Sequence, residues 1–168
     1  MNRKKREDQV YFERITSSGT SLLFLFLAIL SFALFGWRFS LTGWRVFSGI
    51  LLFLGMLFTF YVFNYRVLEI TITTTHLKLK FGIVPWKTGF VNIQSIELDN
   101  SPPIIKYGGA GVHFAFVNGQ YRAFYNFLEY SRILVNFKEK QGLTQALVFT
   151  TKQSDKVIEI LNERITQL

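Results

Sequence analysis

Ser21 to Trp37 reads SLLFLFLAILSFALFGW, and Val46 to Phe63 reads VFSGILLFLGMLFTFYVF. Neither run holds a charged residue or a His, Asn or Gln. The six Leu, four Phe and one Ile of the first run favour bilayer insertion by about 3 to 7 kcal/mol in total. Each run is roughly 26 Å or more as a helix, close to the hydrocarbon thickness of a bilayer. Neither has a polar face, and a chain of 168 residues has too little remaining mass to cover two such helices as a soluble core. The sequence therefore predicts two transmembrane helices, about 21–37 and 46–63, forming a hairpin over 21–63. A cleaved signal peptide would need a shorter apolar stretch and a small-residue cleavage site before Arg38, and neither is present.

Working outward from the hairpin, five basic residues precede it: Arg3, Lys4, Lys5, Arg6 and Arg14. Two, Arg38 and Arg45, lie in its turn. The positive-inside rule puts residues 1–20, a basic segment, and the C-terminus in the cytoplasm. The expected localisation is the cell membrane, multi-pass, with both termini cytoplasmic. Transporters and intramembrane proteases need ionisable groups within the bilayer, and these spans carry none. Ser48, Gly55 and Thr59 on one helix and Ala28 and Ser31 on the other supply small faces for close packing.

Beyond Asn64 the hydrophobic period changes from continuous to two. Leu68, Ile70 and Ile72 alternate with Glu69, Thr71 and Thr73, and Leu77, Leu79 and Phe81 with His76, Lys78 and Lys80. Val91 and Ile93 keep one phase and Ile96 and Leu98 take the other, which predicts a bulge at Gln94-Ser95. Further strands are expected around Val112–Phe116, Tyr121–Phe127, Ile133–Phe137 and Ala146–Thr150. Gly82, Asn118-Gly119 and Gln141-Gly142 are the turns, and Pro102-Pro103 breaks the chain. Ser154 is the expected cap of a helix over about 154–167, with Val157, Ile160, Leu161, Ile165 and Leu168 as its apolar stripe. Residues 64–168 thus form a mainly β domain of about seven strands, a small barrel or sandwich, with the C-terminal helix closing one open side. Its alternating core predicts that it folds without the hairpin.

Tyr107-Gly108-Gly109-Ala110-Gly111-Val112, Arg122-Ala123-Phe124-Tyr125 and Phe149-Thr150-Thr151 carry a resemblance. Over about residues 64–166 the chain resembles the bacterial pleckstrin-homology (PH-like) domains found beside transmembrane segments. His113 stands where that family often has Arg, and Gln153-Ser154 where it often has Pro. The resemblance implies a PH-like small barrel closed by its helix, membrane association and no catalytic activity.

Chemistry is bounded by what the chain lacks. There is no Cys, so thiolate catalysis and Cys-based zinc sites are excluded. His76 and His113 have no third ligand at suitable spacing, and no metal or other cofactor is expected. Gly108-Gly109-Ala110-Gly111 precedes a strand pattern rather than a helix, so it does not read as a phosphate cradle. The net charge is +8, of which residues 64–168 carry +4 from 12 Lys/Arg against 8 Asp/Glu. Spread over that length it gives no nucleic-acid footprint. Lys78 and Lys80 share a strand face and Lys87 follows the Gly82 turn. They are the residues expected to meet a lipid or a partner, although a solvated strand face accounts for them as well. The leading expectation is a membrane-anchored, non-enzymatic module that binds a protein or peptide partner. The alternatives are a sensor of anionic lipid head groups or the membrane surface, and an accessory subunit of a membrane enzyme or transport complex.

Overall fold

The computed structural model describes residues 8–99 and 109–167. Arg3 to Arg6, Pro102-Pro103, Tyr107-Gly108 and Leu168, all used above, lie outside them. The chain divides into two compact units, Ser17–Arg66 and a second made of the chain before Ser17 together with Val67 onward.

The first unit is a pair of helices, α1 (Ser18–Thr42) and α2 (Val46–Asn64), both long and apolar enough to cross a membrane. The helix α1 starts earlier and ends later than its apolar run. Ser17 caps it by accepting from the Thr20 N–H at 2.9 Å. At the other end it continues past Arg38, because a charge does not break a helix. It stops at Gly43, whose φ of 63° suits only a residue without Cβ. Ser40 and Thr42 hydroxyls donate back to the Trp37 and Arg38 carbonyls in the last turn. The connection is Gly43-Trp44-Arg45, so the two helices run antiparallel. Their contact is built mostly from small residues: Thr20, Ala28 and Ser31 are the buried positions of α1, and Ser48 and Gly55, with the larger Leu51, those of α2. A Cβ added at Gly55 would meet the Phe32 ring at 2.7 Å, which is why glycine sits there. Phe24 packs edge-on against Tyr61, with ring centroids 5.2 Å apart.

The second unit contains two sheets, and its described strands do not close into a barrel. The four-stranded sheet has the order β1-β2-β3-β4, from β1 (Gln9–Thr16), β2 (Val67–Thr73), β3 (His76–Phe81) and β4 (Val84–Gly89). A single 3-10 turn, Phe90–Asn92, leads to the five-stranded sheet. Its order is β5-β8-β9-β7-β6, from β5 (Ile93–Asp99), β6 (Gly111–Val117), β7 (Gln120–Asn126), β8 (Ser131–Gln141) and β9 (Thr144–Thr151). The register slip between Ile93 and Ser95 is the expected bulge. Nine strands are described rather than about seven, the additional ones being β1 and β4. The strand β1 lies in the segment read as a basic N-terminal tail and pairs antiparallel with β2, Ile15 opposite Leu68 and Thr16 opposite Val67. The strand β4 contains Pro85, tolerated because β4 is an edge that pairs with β3 alone. The five-stranded sheet is not a simple meander, since β9 inserts between β8 and β7 and runs parallel to β7.

The main core lies between the sheets. Ile15, Leu68, Ile70, Ile72, Leu77, Leu79 and Phe81 are buried on the inner face of the four-stranded sheet. Phe81 packs edge-on against Phe127 at 4.8 Å, and Trp86 stacks on Phe137. The helix α3 (Ser154–Thr166) lies against β5, β8 and β9 with Val157 and Leu161 fully buried. Its N-cap is Gln153, not Ser154, and the expected side-chain cap is absent. Just before the helix the Thr151 hydroxyl oxygen accepts from the Gln153 N–H at 3.1 Å, a local turn that leads the chain into α3.

Candidate functional site: a basic face on the four-stranded sheet

Burying Leu77, Leu79 and Phe81 sends His76, Lys78 and Lys80 to the outer face of β3. Register then decides their neighbours. Lys78 sits directly opposite Lys87 on β4 and Thr71 on β2, while Lys80 sits opposite Pro85 and Glu69. His76 is opposite Gly89. On β1 the outward residues are Phe12, opposite Thr71, and Arg14, opposite Glu69. Lys78, Lys80 and Lys87 are thus brought onto one face, and Arg14, which sequence reasoning counted only as a topology signal, joins them.

Glu69 is the one acid on that face among the described outward residues, and it stands between Arg14 and Lys80. Its Oε1 lies 3.9 Å from the Arg14 Nε. Lys78 and Lys87 face each other with no carboxylate in their row, Phe12-Thr71-Lys78-Lys87. Directly opposed like charges destabilise a sheet, so this pair opposes folding rather than assisting it. His76 reports the local field. Its pKa is lowered by partial burial first, and then by the Lys87 and Lys78 ammonium groups. Its Nδ1 lies 2.5 Å from the Thr75 hydroxyl, and its backbone N–H donates to the Thr73 hydroxyl at 3.0 Å.

The remaining sequence candidates are dispersed. His113 is on β6 of the other sheet, stacked on Phe124 with ring centroids 4.8 Å apart, so the two histidines do not converge. No group of three His, Asp or Glu able to hold a metal occurs among the described residues. Gly109 and Gly111, at φ of 97° and 96°, lead into a strand as expected of a tight turn.

Two buried polar arrangements escaped the sequence reading. Glu13, on the inner face of β1, accepts from the Tyr11 hydroxyl at 3.0 Å, the Thr151 hydroxyl at 2.6 Å and the Lys152 N–H at 3.0 Å. It ties the first strand to the junction of β9 and α3. Arg132 and Asp99 form an ion pair of 3.0 Å, with side chains 4% and 5% exposed. Glu13 had one signal, an acid at the alternation position between Tyr11 and Ile15, whereas Arg132 and Asp99 stand on the phase that reads as outward.

No protein-family model matches the chain, and neither does any curated protein or solved structure.

Proposed function

We propose that the chain is a membrane-anchored, non-catalytic interaction module whose PH-like β domain binds an acidic protein or peptide segment at the cytoplasmic face of the membrane. The observation that carries this reading is the Lys78–Lys87 pair. Two ammonium groups are held opposite one another at a cost to the sheet, beside Lys80 and with no acid in their row. An anionic partner would turn that repulsion into binding energy and supply specificity. The PH-like character rests on the motif residues of β6, β7 and β9 and on two sheets accompanied by a C-terminal helix. The cytoplasmic assignment rests on the excess of basic residues before α1 over those in the turn.

A second occupant of the same face, an anionic lipid head group, is favoured by the connections. Ser17 alone separates β1 from α1, and Tyr65-Arg66 alone separate α2 from β2. Both connections are thus short, a linker of one or two residues spanning less than roughly 10 Å. The test uses the full chain in nanodiscs of neutral lipid, titrated with a hexaglutamate peptide. Replacing Lys78, Lys80 and Lys87 by Gln should weaken binding about fivefold per charge, near 1 kcal/mol each, and raised salt should do the same. Under the lipid reading, anionic lipid in the disc competes the peptide away. Unchanged peptide affinity in the triple variant would refute both.

A further inference from the structure

The second face of the five-stranded sheet holds a cation unlike the other. Arg122 on β7 sits between Ala115 of β6 and Ala146 of β9 in one cross-strand row. It is 6% exposed, and its Nε has no hydrogen-bond partner. Val117, Phe124, Leu134, Ala146 and Val148, on the same face, form an apolar cluster. Asp99 and Glu97 are the acids of this face among the described residues, and both are committed elsewhere. Asp99 holds Arg132, and Glu97 accepts from the Asn136 side chain at 2.8 Å. Both lie on β5, three strands from β7, or about 14 Å away at the usual strand spacing. A guanidinium so placed loses hydration and gains no counter-charge from the described residues of this face.

We propose that Arg122 is the anchor of a carboxylate-binding site on the five-stranded sheet, taking a single acidic side chain or C-terminal carboxylate from a docking peptide. It is separate from the lysine face, which lies on the other sheet. The planar guanidinium fork matches a carboxylate in two-point geometry, and its single charge matches in magnitude. A phosphate group, near −2, would call for a second cation. The other arginine on this face is already held by Asp99. Its cross-strand neighbours are both alanines, so no larger side chain stands beside the fork in its own row.

The experiment follows thermal unfolding of the full chain in detergent, in sodium acetate, sodium chloride or sodium phosphate at matched ionic strength. Acetate well above its dissociation constant should raise the midpoint by about 2–4 °C over chloride. Phosphate should give less. Arg122→Met should unfold in chloride no lower than the native chain and lose the acetate increment. Arg122→Lys keeps the charge without the fork and should keep less than half of the increment. The proposal is overturned if acetate acts no better than chloride or phosphate, or if the increment survives in Arg122→Met. A lower midpoint of Arg122→Met in chloride also overturns it. If that variant does not fold, a full increment in Arg122→Lys does so.

Discussion

Glu13→Ala is the substitution that most directly tests how the second unit is closed. The carboxylate is 8% exposed and accepts three hydrogen bonds, two to Oε2 from the Tyr11 and Thr151 hydroxyls and one to Oε1 from the Lys152 N–H. Truncation leaves the Thr151 hydroxyl and the Lys152 N–H without their acceptor beneath β1. A buried donor stripped of its partner costs about 1–3 kcal/mol, so these two together cost about 3–5 kcal/mol, Tyr11 retaining some access to water. Glu13→Gln keeps the volume and one carbonyl oxygen. Turned so that its oxygen meets the Lys152 N–H, its amide can donate to both hydroxyl oxygens. Only the charge assistance is then lost, about 1–2 kcal/mol.

The assay is denaturant unfolding of the full chain in detergent micelles, followed by the near-UV signal of the β core. The expected order of stability is native, then Glu13→Gln, then Glu13→Ala. Thr151→Val should couple to Glu13→Ala by about 1–2 kcal/mol in a double-mutant cycle, because both remove the same 2.6 Å bond. A Glu13→Ala variant within about 0.5 kcal/mol of native would refute the argument. So would additive effects of the two changes, because β1 would then not be fastened at this junction.

Asp99→Ala leaves Arg132 buried without its carboxylate and should cost about 3–5 kcal/mol by the same unfolding assay. His76 should titrate below the ordinary histidine range in an NMR pH series, and Lys87→Gln should move its midpoint upward. Because the folded-state pKa is lowered, the neutral ring is the favoured form. Its stabilising contribution is complete above the unfolded pKa and is lost as pH falls through the folded value. Gly55→Leu should force Phe32 aside and separate α1 from α2, read as a loss of cross-linking between cysteines introduced at the Phe24 and Tyr61 positions, whose rings lie 5.2 Å apart.

The two long apolar helices were legible because Ser21–Trp37 and Val46–Phe63 are unbroken apolar runs, and the lysine face because period two assigns Lys78 and Lys80 to one side whatever lies opposite. What stayed hidden has definite causes. The inward positions of β1 are Tyr11, Glu13 and Ile15, and an acid in the middle breaks the apolar alternation that marks a strand. In β4, Pro85 argues against a strand until β4 is known to be an edge. The parallel pairing of β7 with β9 joins residues more than twenty positions apart, as in Arg122 opposite Ala146, and no local pattern encodes it. The opposition of Lys87 to Lys78 needed the register of a two-residue Gly82-Ile83 turn. Arg122 reads as an ordinary outward residue of an alternating strand until that side of the sheet is found to be buried.

The position of β1 alters what the helix pair does for the fold. The four-stranded sheet needs residues 9–16, made before α1, and residues 67–73, made after α2. A fragment starting near residue 64 would contain every element after the hairpin yet lack one edge of that sheet. Its Leu68, Ile70 and Ile72 would lose Ile15 and Tyr11 as neighbours, and the Thr151 and Lys152 donors would lose Glu13. Autonomous folding of residues 64–168, which alternation alone predicts, therefore requires a β1 peptide supplied in trans or fused directly to Val67. Within the intact chain an antiparallel helix pair joined by Gly43-Trp44-Arg45 returns the chain to where it entered, and this favours the ladder that ends with Thr16 opposite Val67. The loop-closure entropy of pairing strands about fifty residues apart is then met largely by helix packing rather than by the sheet. On this argument the hairpin is a structural insert in the β domain, and weakening the Gly55–Phe32 contact should loosen β1 before any other strand.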